Sequence, residues 1–409
     1  MTDRTIDTGI SGNANKLILL FLTIQIASVS ISIAVSSIAF GIWGGIWIIQ
    51  MISQRKIGYD KELFREIRLI NFFTILYFIF EINSRIFAVY PEGAFANIKR
   101  LLLFLIFYVS VIKIINIKTL SEILFVNISA ISVISTVELF KYAMKFSELI
   151  RQMPFSEIRI DYFNYPLTTA EIKMISFLSV FPVLFIKEKF FIDKKYLIVV
   201  LIPVFISMIL TQSRNVFLGL FISFLVFGVF FNRKFLLAFI GLLIISYFIL
   251  PSGMTDRISS IADINHPSNA SRLTMWNVGY KMFKDHPLTG IADSHIKEIY
   301  ETYKKSETES EGVHLHSNYL MILATTGIFG FLSFAGIYFT IFIKQIKYYK
   351  EEKIQYEKML IAGSILVMIS FHVAGIFEWS FGDHEVMTVF FFLTAVPFVI
   401  RKYDKQLLK

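Results

Sequence analysis

Long apolar stretches alternate with short polar intervals along most of the chain, and the alternation breaks once. Apolar residues run almost unbroken from Leu17 to Ser53, enough for two spans turning near Ser36-Ser37. Further stretches lie at about 69–90, 100–117, 120–142, 169–187, 195–212, 214–231 and 235–251, then at 318–343, 359–377 and 386–400. A membrane-spanning helix needs roughly 20 largely apolar residues. The pattern therefore predicts an all-α polytopic membrane protein with about 12 transmembrane helices. The break is the interval 252–317, which divides the chain into 1–251, the polar loop itself, and 318–409. Short helices are expected inside that loop. Composition agrees, since 55% of the residues are hydrophobic and mean hydropathy is +0.64, beyond the soluble average.

Charge sets the orientation. Lys113 and Lys118, Arg233 and Lys234, Lys344, Lys347 and Lys350, and Arg401 and Lys402 all fall in every second interval. By the positive-inside rule both termini are expected in the cytoplasm and 252–317 on the opposite side, in the periplasm of a Gram-negative cell, with the protein in the inner membrane. The net charge of +9 and pI near 9.3 thus report topology, not nucleic-acid binding. The absence of cysteine removes disulfides and thiolate sites. The two halves differ in span and loop length, unlike a transporter built from repeats.

The loop 252–317 holds His266, His286, His295, His314 and His316, together with Arg257, Arg272, Trp276 and a charged run at 297–311. A loop this long in a compact protein is usually functional or disordered. The charged run reads as a solvated helix or a flap. Arg214 lies just before the loop's last supporting spans, in Leu210-Thr211-Gln212-Ser213-Arg214-Asn215, a tight turn at the same surface. There its guanidinium either snorkels to water or binds phosphate bidentately beside Gln212. Arg272 falls in an amphipathic stretch that Ser268 or Asn269 would cap, placing it in the first turn near an anion-attracting N-terminus. The alternative is an ordinary surface arginine.

His316 stands where the loop returns to the membrane, just before Asn318. Imidazole can take a proton from a sugar hydroxyl near neutral pH, or serve only as a hydrogen-bonded boundary residue. His314, two positions earlier in an extended segment, points the same way; a metal pair would need Glu378, Asp383 or His384 as a further ligand. Trp276 reads as a core anchor, His372 as a residue within a span, and Gly327 and Gly330 as sites of close helix packing. The chain has no phosphate-binding glycine loop, nucleophile elbow or His-Glu-x-x-His pattern.

Three of these segments together resemble the O-antigen ligase and polymerase superfamily. They are Leu210-Thr211-Gln212-Ser213-Arg214, Ser271-Arg272-Leu273-Thr274-Met275-Trp276 followed by His286-Pro287-Leu288-Thr289-Gly290, and Val313-His314-Leu315-His316. Family members commonly carry Asn directly after the histidine, whereas Ser317 intervenes here before Asn318. The resemblance implies transfer of a glycan from undecaprenyl diphosphate to lipid A–core, without metal or another cofactor, and with inversion. It assigns His316 as general base and Arg214 and Arg272 as diphosphate ligands, with Gln212, His314 and Asn318 in support. A polymerase of the same superfamily would join lipid-linked repeat units instead. A transporter or flippase, a different class, would line its midplane with ionisable groups.

Overall fold

The computed structural model describes residues 9–54, 61–153, 157–160, 166–187, 193–249, 255, 258–261, 263–304 and 314–407. Arg257, most of the charged run beyond Lys304, and Val313 lie outside the described residues. Helices joined by turns make up the described chain, with no strand among these residues. In order they are α1 (Gly9–Ser28), α2 (Ile33–Gln54), α3 (Lys61–Glu66), α4 (Arg68–Ile86), α5 (Phe104–Lys113), α6 (Ile117–Gln152), α7 (Pro166–Val180) and α8 (Lys194–Leu210). Then follow α9 (Arg214–Val226), α10 (Arg233–Ile249), α11 (Pro267–Asp285), α12 (Ile296–Tyr303), α13 (Asn318–Glu351), α14 (Gln355–Ala374) and α15 (His384–Leu407).

Among the described residues, 8 helices are long and apolar enough to cross a membrane: α2, α4, α6, α7, α9, α13, α14 and α15, some extended by a further turn. The protein is a multi-pass membrane protein. Helices occupy the other expected stretches as well, but α5 has 10 residues and α8 and α10 have 17 each, short of the usual span. The first turn also lies earlier than Ser36-Ser37. α1 ends at Ser28, and the Ser32 hydroxyl accepts a hydrogen bond from Val35 N at 3.3 Å, capping α2.

The helices nearest the centre are α7 and α15, each 83% buried over its spanning window, against 28% for α2. Within this interior Lys173 of α7 pairs with Glu138 of α6, and Ser207 of α8 bonds both. Ionisable groups are therefore not confined to the outer surface. The two charges are paired between their own helices through one oxygen of Glu138, as buried charges usually are.

What fixes the loop on the bundle is a break in α13. Gly327 adopts φ 69 and ψ −175, a conformation essentially reserved for glycine. The break frees carbonyls that the loop then caps: Ile291 N donates to Ala324 O at 3.0 Å, and Ala292 N donates to Thr325 O at 3.0 Å. In return Ile328 N donates to Pro287 O at 2.8 Å. The Pro287-to-Gly290 motif and Gly327 thus belong to one wedge, and Gly327 does more than let helices approach. Arg85 of α4 and Arg100 secure the following residue, Asp293, at 2.8 and 3.0 Å. Gly327→Ala would place a Cβ 2.6 Å from Leu288 O. Thermal unfolding in detergent should register a loss of at least about 1–3 kcal/mol, whereas Gly241→Ala, whose Cβ meets nothing within 4 Å, should be neutral or slightly stabilising.

Basic residues gather at the other end of the bundle. Lys344 Nζ donates to Glu66 at 2.8 Å, Arg401 pairs with Glu351 at 2.8 Å, and Lys402 Nζ donates to Val111 O at 2.6 Å. Since α4 begins beside Glu66 and ends beside Arg85, the basic end and the loop end lie at opposite ends of the same helix.

Candidate active site

Four segments converge at the loop end: the turn between α8 and α9, the start of α11, residues 314–317, and the turn 375–383. The first is held by Gln212, whose φ of 51 is left-handed and whose Nε2 donates to Ile158 O at 2.9 Å. Gln212 is fully buried, so its role is to shape the turn. That turn delivers Arg214 at the first position of α9. Arg214 Nη1 donates to Ser260 O at 3.1 Å and Ser260 Oγ at 3.2 Å, and approaches His266 Nδ1 at 3.4 Å.

His266 also corrects the expected cap of α11. Its Nδ1, not the side chain of Ser268 or Asn269, accepts the Ser268 N–H at 3.3 Å. Counting from Pro267, Arg272 sits in the second turn rather than the first, and its Nη1 donates to Ser268 Oγ at 3.1 Å. Arg214 and Arg272 share a cavity of about 160 Å³ whose other walls include Leu218, Ile264, Leu273 and Trp276. Trp276 is therefore a cavity wall and not a core residue. A cavity lined by two guanidiniums, Asn215, Asn269 and otherwise apolar side chains suits an anionic headgroup on a hydrocarbon chain.

The histidine segment is not extended throughout. His316 has φ 44, a strained value for a non-glycine residue of the kind found at functional sites. Leu315 is fully buried against Gly279 of α11, where a Cβ would stand 2.5 Å from Leu315 Cδ1. With Leu315 buried, His314 and His316 turn together, ring centroids 4.1 Å apart. His316 N donates to His314 Nδ1 at 3.3 Å. Burial, then the neighbouring His316, lowers the His314 imidazole to about 4. His314 is neutral at pH 7 and braces its neighbour.

His316 Nδ1 lies 3.1 Å from both carboxylate oxygens of Glu378. A carboxylate there accepts a hydrogen bond from Nδ1–H, which leaves Nε2 as the ring's acceptor. Burial alone would raise the Glu378 carboxyl, but the His316 hydrogen bond and the His316 and His314 rings outweigh it and hold it below the usual range. Arg272 Nη2 stands 3.9 Å from the same carboxylate, so the residue facing the cavity also reaches the histidine's partner. Asn318 locks this turn in place, giving its N–H to Gly375 O at 2.8 Å and accepting from Phe381 N at 2.9 Å. Its support is structural.

His314, His316 and Glu378 have ligand atoms within 4.8 Å of one another and are the residues that would hold a metal. Asp383 instead accepts from Thr168 Oγ1 at 2.8 Å. The other loop histidines serve elsewhere: His286 ends α11, and His295 Nε2 contacts Glu92 O at 2.8 Å. Sequence reading named Glu378 only as a metal ligand and missed its pairing with His316. The signal was Glu378 in the acidic turn at the same surface as His316.

Residues 198–335 match the family model described as O-antigen ligase. This segment is similar to the O-antigen ligase family. No curated protein sequence matches the chain. The matched ligase-family segment contains Arg214, Arg272 and His316 but stops before Glu378. The wedge at Gly327 lies inside it, so the domain includes the device that docks the loop on α13.

Proposed function

We propose that the protein is a membrane glycosyltransferase that moves a glycan from undecaprenyl diphosphate to a hydroxyl of lipid A–core, acting as an O-antigen ligase. The observation that carries this reading is the Glu378-held His316 beside a cavity lined by Arg214 and Arg272. His316 Nε2 takes the proton of the acceptor hydroxyl as its oxygen bonds to the anomeric carbon. The bond from that carbon to the diphosphate oxygen breaks, and its electron pair leaves with the diphosphate. Attack opposite the leaving group inverts the centre. Arg214 and Arg272 supply the charge stabilisation, so the chain's own residues complete the step without a cofactor. About twelve helices would enter the bilayer in this reading, counting the shorter ones, with the basic end in the cytoplasm and the site at the periplasmic face of the inner membrane.

The ligase and polymerase reactions use the same groups and differ in acceptor. The motif Val313-His314-Leu315-His316 favours the ligase. The glycan profile of a deletion strain tests the choice. A ligase deletion should leave bare lipid A–core and long polymer on undecaprenyl diphosphate. Core bearing a single repeat unit would instead reassign the protein as a polymerase.

A further inference from the structure

Arg159 stands outside the ligase-family match, on the short segment 157–160. That segment is tied to the turn that presents Arg214: Gln212 Nε2 donates to Ile158 O at 2.9 Å, and Ile160 N donates to Leu210 O at 3.2 Å. Ile158 and Ile160 are buried, in an apolar cluster with Tyr142. As in a strand, successive side chains of such a segment point to opposite sides. Arg159 therefore leaves the cluster as its neighbours enter it. Both Arg159 and Arg272 are charged neighbours of Arg214. Among the described residues, no hydrogen bond or ion pair engages Arg159.

The charges around the cavity do not balance. Arg214 is held by Ser260 and His266, neither of which brings a negative charge, and Arg272 shares Glu378 with His316. Among the described residues, the one ion pair made by these three guanidiniums is that of Arg272 with Glu378, a carboxylate already bonded to His316. Like charges repel unless an anion sits among them. A sugar ester of a diphosphate carries one fewer negative charge than the diphosphate it releases, so the need for a cation grows as the reaction proceeds.

We propose that Arg159 is a third cation of the diphosphate site, contacting the phosphate oxygens on which charge builds as the sugar–oxygen bond breaks. This rests on the glycosyltransferase reading above. The anchor of the segment, Gln212 to Ile158, gives that buried glutamine a reason to sit in the turn: it sets the distance between two arginines.

The test uses the full-length protein in nanodiscs, with lipid-linked glycan as donor and inorganic diphosphate as competing anion. Arg159→Gln should lower kcat about 10- to 100-fold with a smaller change in donor KM, and should weaken inhibition by inorganic diphosphate by a similar factor. Its Tm should stay unchanged or rise, because a repelling neighbour of Arg214 is gone. Arg159→Lys should recover part of both losses. Normal turnover and normal diphosphate inhibition in Arg159→Gln would overturn the proposal and leave the enzyme assignment intact. A fall in Tm with Arg159→Lys no better than Arg159→Gln would also overturn it, making the residue structural. Loss confined to stimulation by phosphatidylglycerol would assign the arginine to a lipid headgroup and sink the proposal. If the wild type transfers no glycan but Arg159→Gln still weakens diphosphate binding, the anion site stands and the glycosyltransferase reading fails.

Discussion

His316→Ala is expected to lower glycan transfer about 100- to 10,000-fold, the usual worth of a positioned general base. The protein should still insert and bind the lipid-linked donor, because Arg214 and Arg272 line the cavity and His316 does not. In a ligase that loss should empty the long-chain ladder on a lipopolysaccharide gel. Glu378→Ala should also impair transfer, by less, since it frees the ring without removing Nε2. The pair of variants separates base from ligand when each is assayed in excess EDTA. Wild-type activity should persist there. Loss restored by a divalent ion would move His314, His316 and Glu378 into ligand roles, and a normal ladder from His316→Ala would remove the histidine from the mechanism.

The parts of this site that were legible in the sequence are those set by local pattern. Arg214 could be found because a charged residue in a tight turn between two apolar helices stands out against its surroundings. Arg272 could be found because α11 is amphipathic, yet its place in the helix was misjudged by a turn because histidine caps the helix in place of serine or asparagine. What pattern does not carry is pairing across the chain. Glu378 lies 62 positions from His316, and only the turn clamped by Asn318 brings its carboxylate beside the ring. The helices follow the same division. Apolar runs located nearly every one, but the break at Gly327 depends on a loop whose carbonyl would clash with any Cβ there. Nothing local in Thr325-Thr326-Gly327 distinguishes that from a packing glycine.

Arg214→Lys should fail even though it keeps the charge, with kcat down about 100- to 1,000-fold, the range seen when a donor to a developing oxyanion is lost. In the proposed reaction the guanidinium has two tasks that lie in different directions. One nitrogen, Nη1, is already occupied by Ser260 and His266, which fixes the plane of the fork. The remaining donors of the planar fork are then available to the cavity that the residue lines. A lysine ammonium is a single point on a flexible stem and cannot hold Ser260 while presenting a second donor to phosphate. Arg272→Lys should be milder, because Arg272 stands 3.9 Å from the Glu378 carboxylate and acts there mainly through its field. Steady-state kinetics on purified protein distinguish the two substitutions. Equal losses would mean that both arginines bind the diphosphate in the same way, and an active Arg214→Lys would take the fork out of the mechanism. In a ligase, cells carrying Arg214→Lys should accumulate polymer on undecaprenyl diphosphate beside bare lipid A–core, the same signature as His316→Ala reached from the opposite side of the reacting bond.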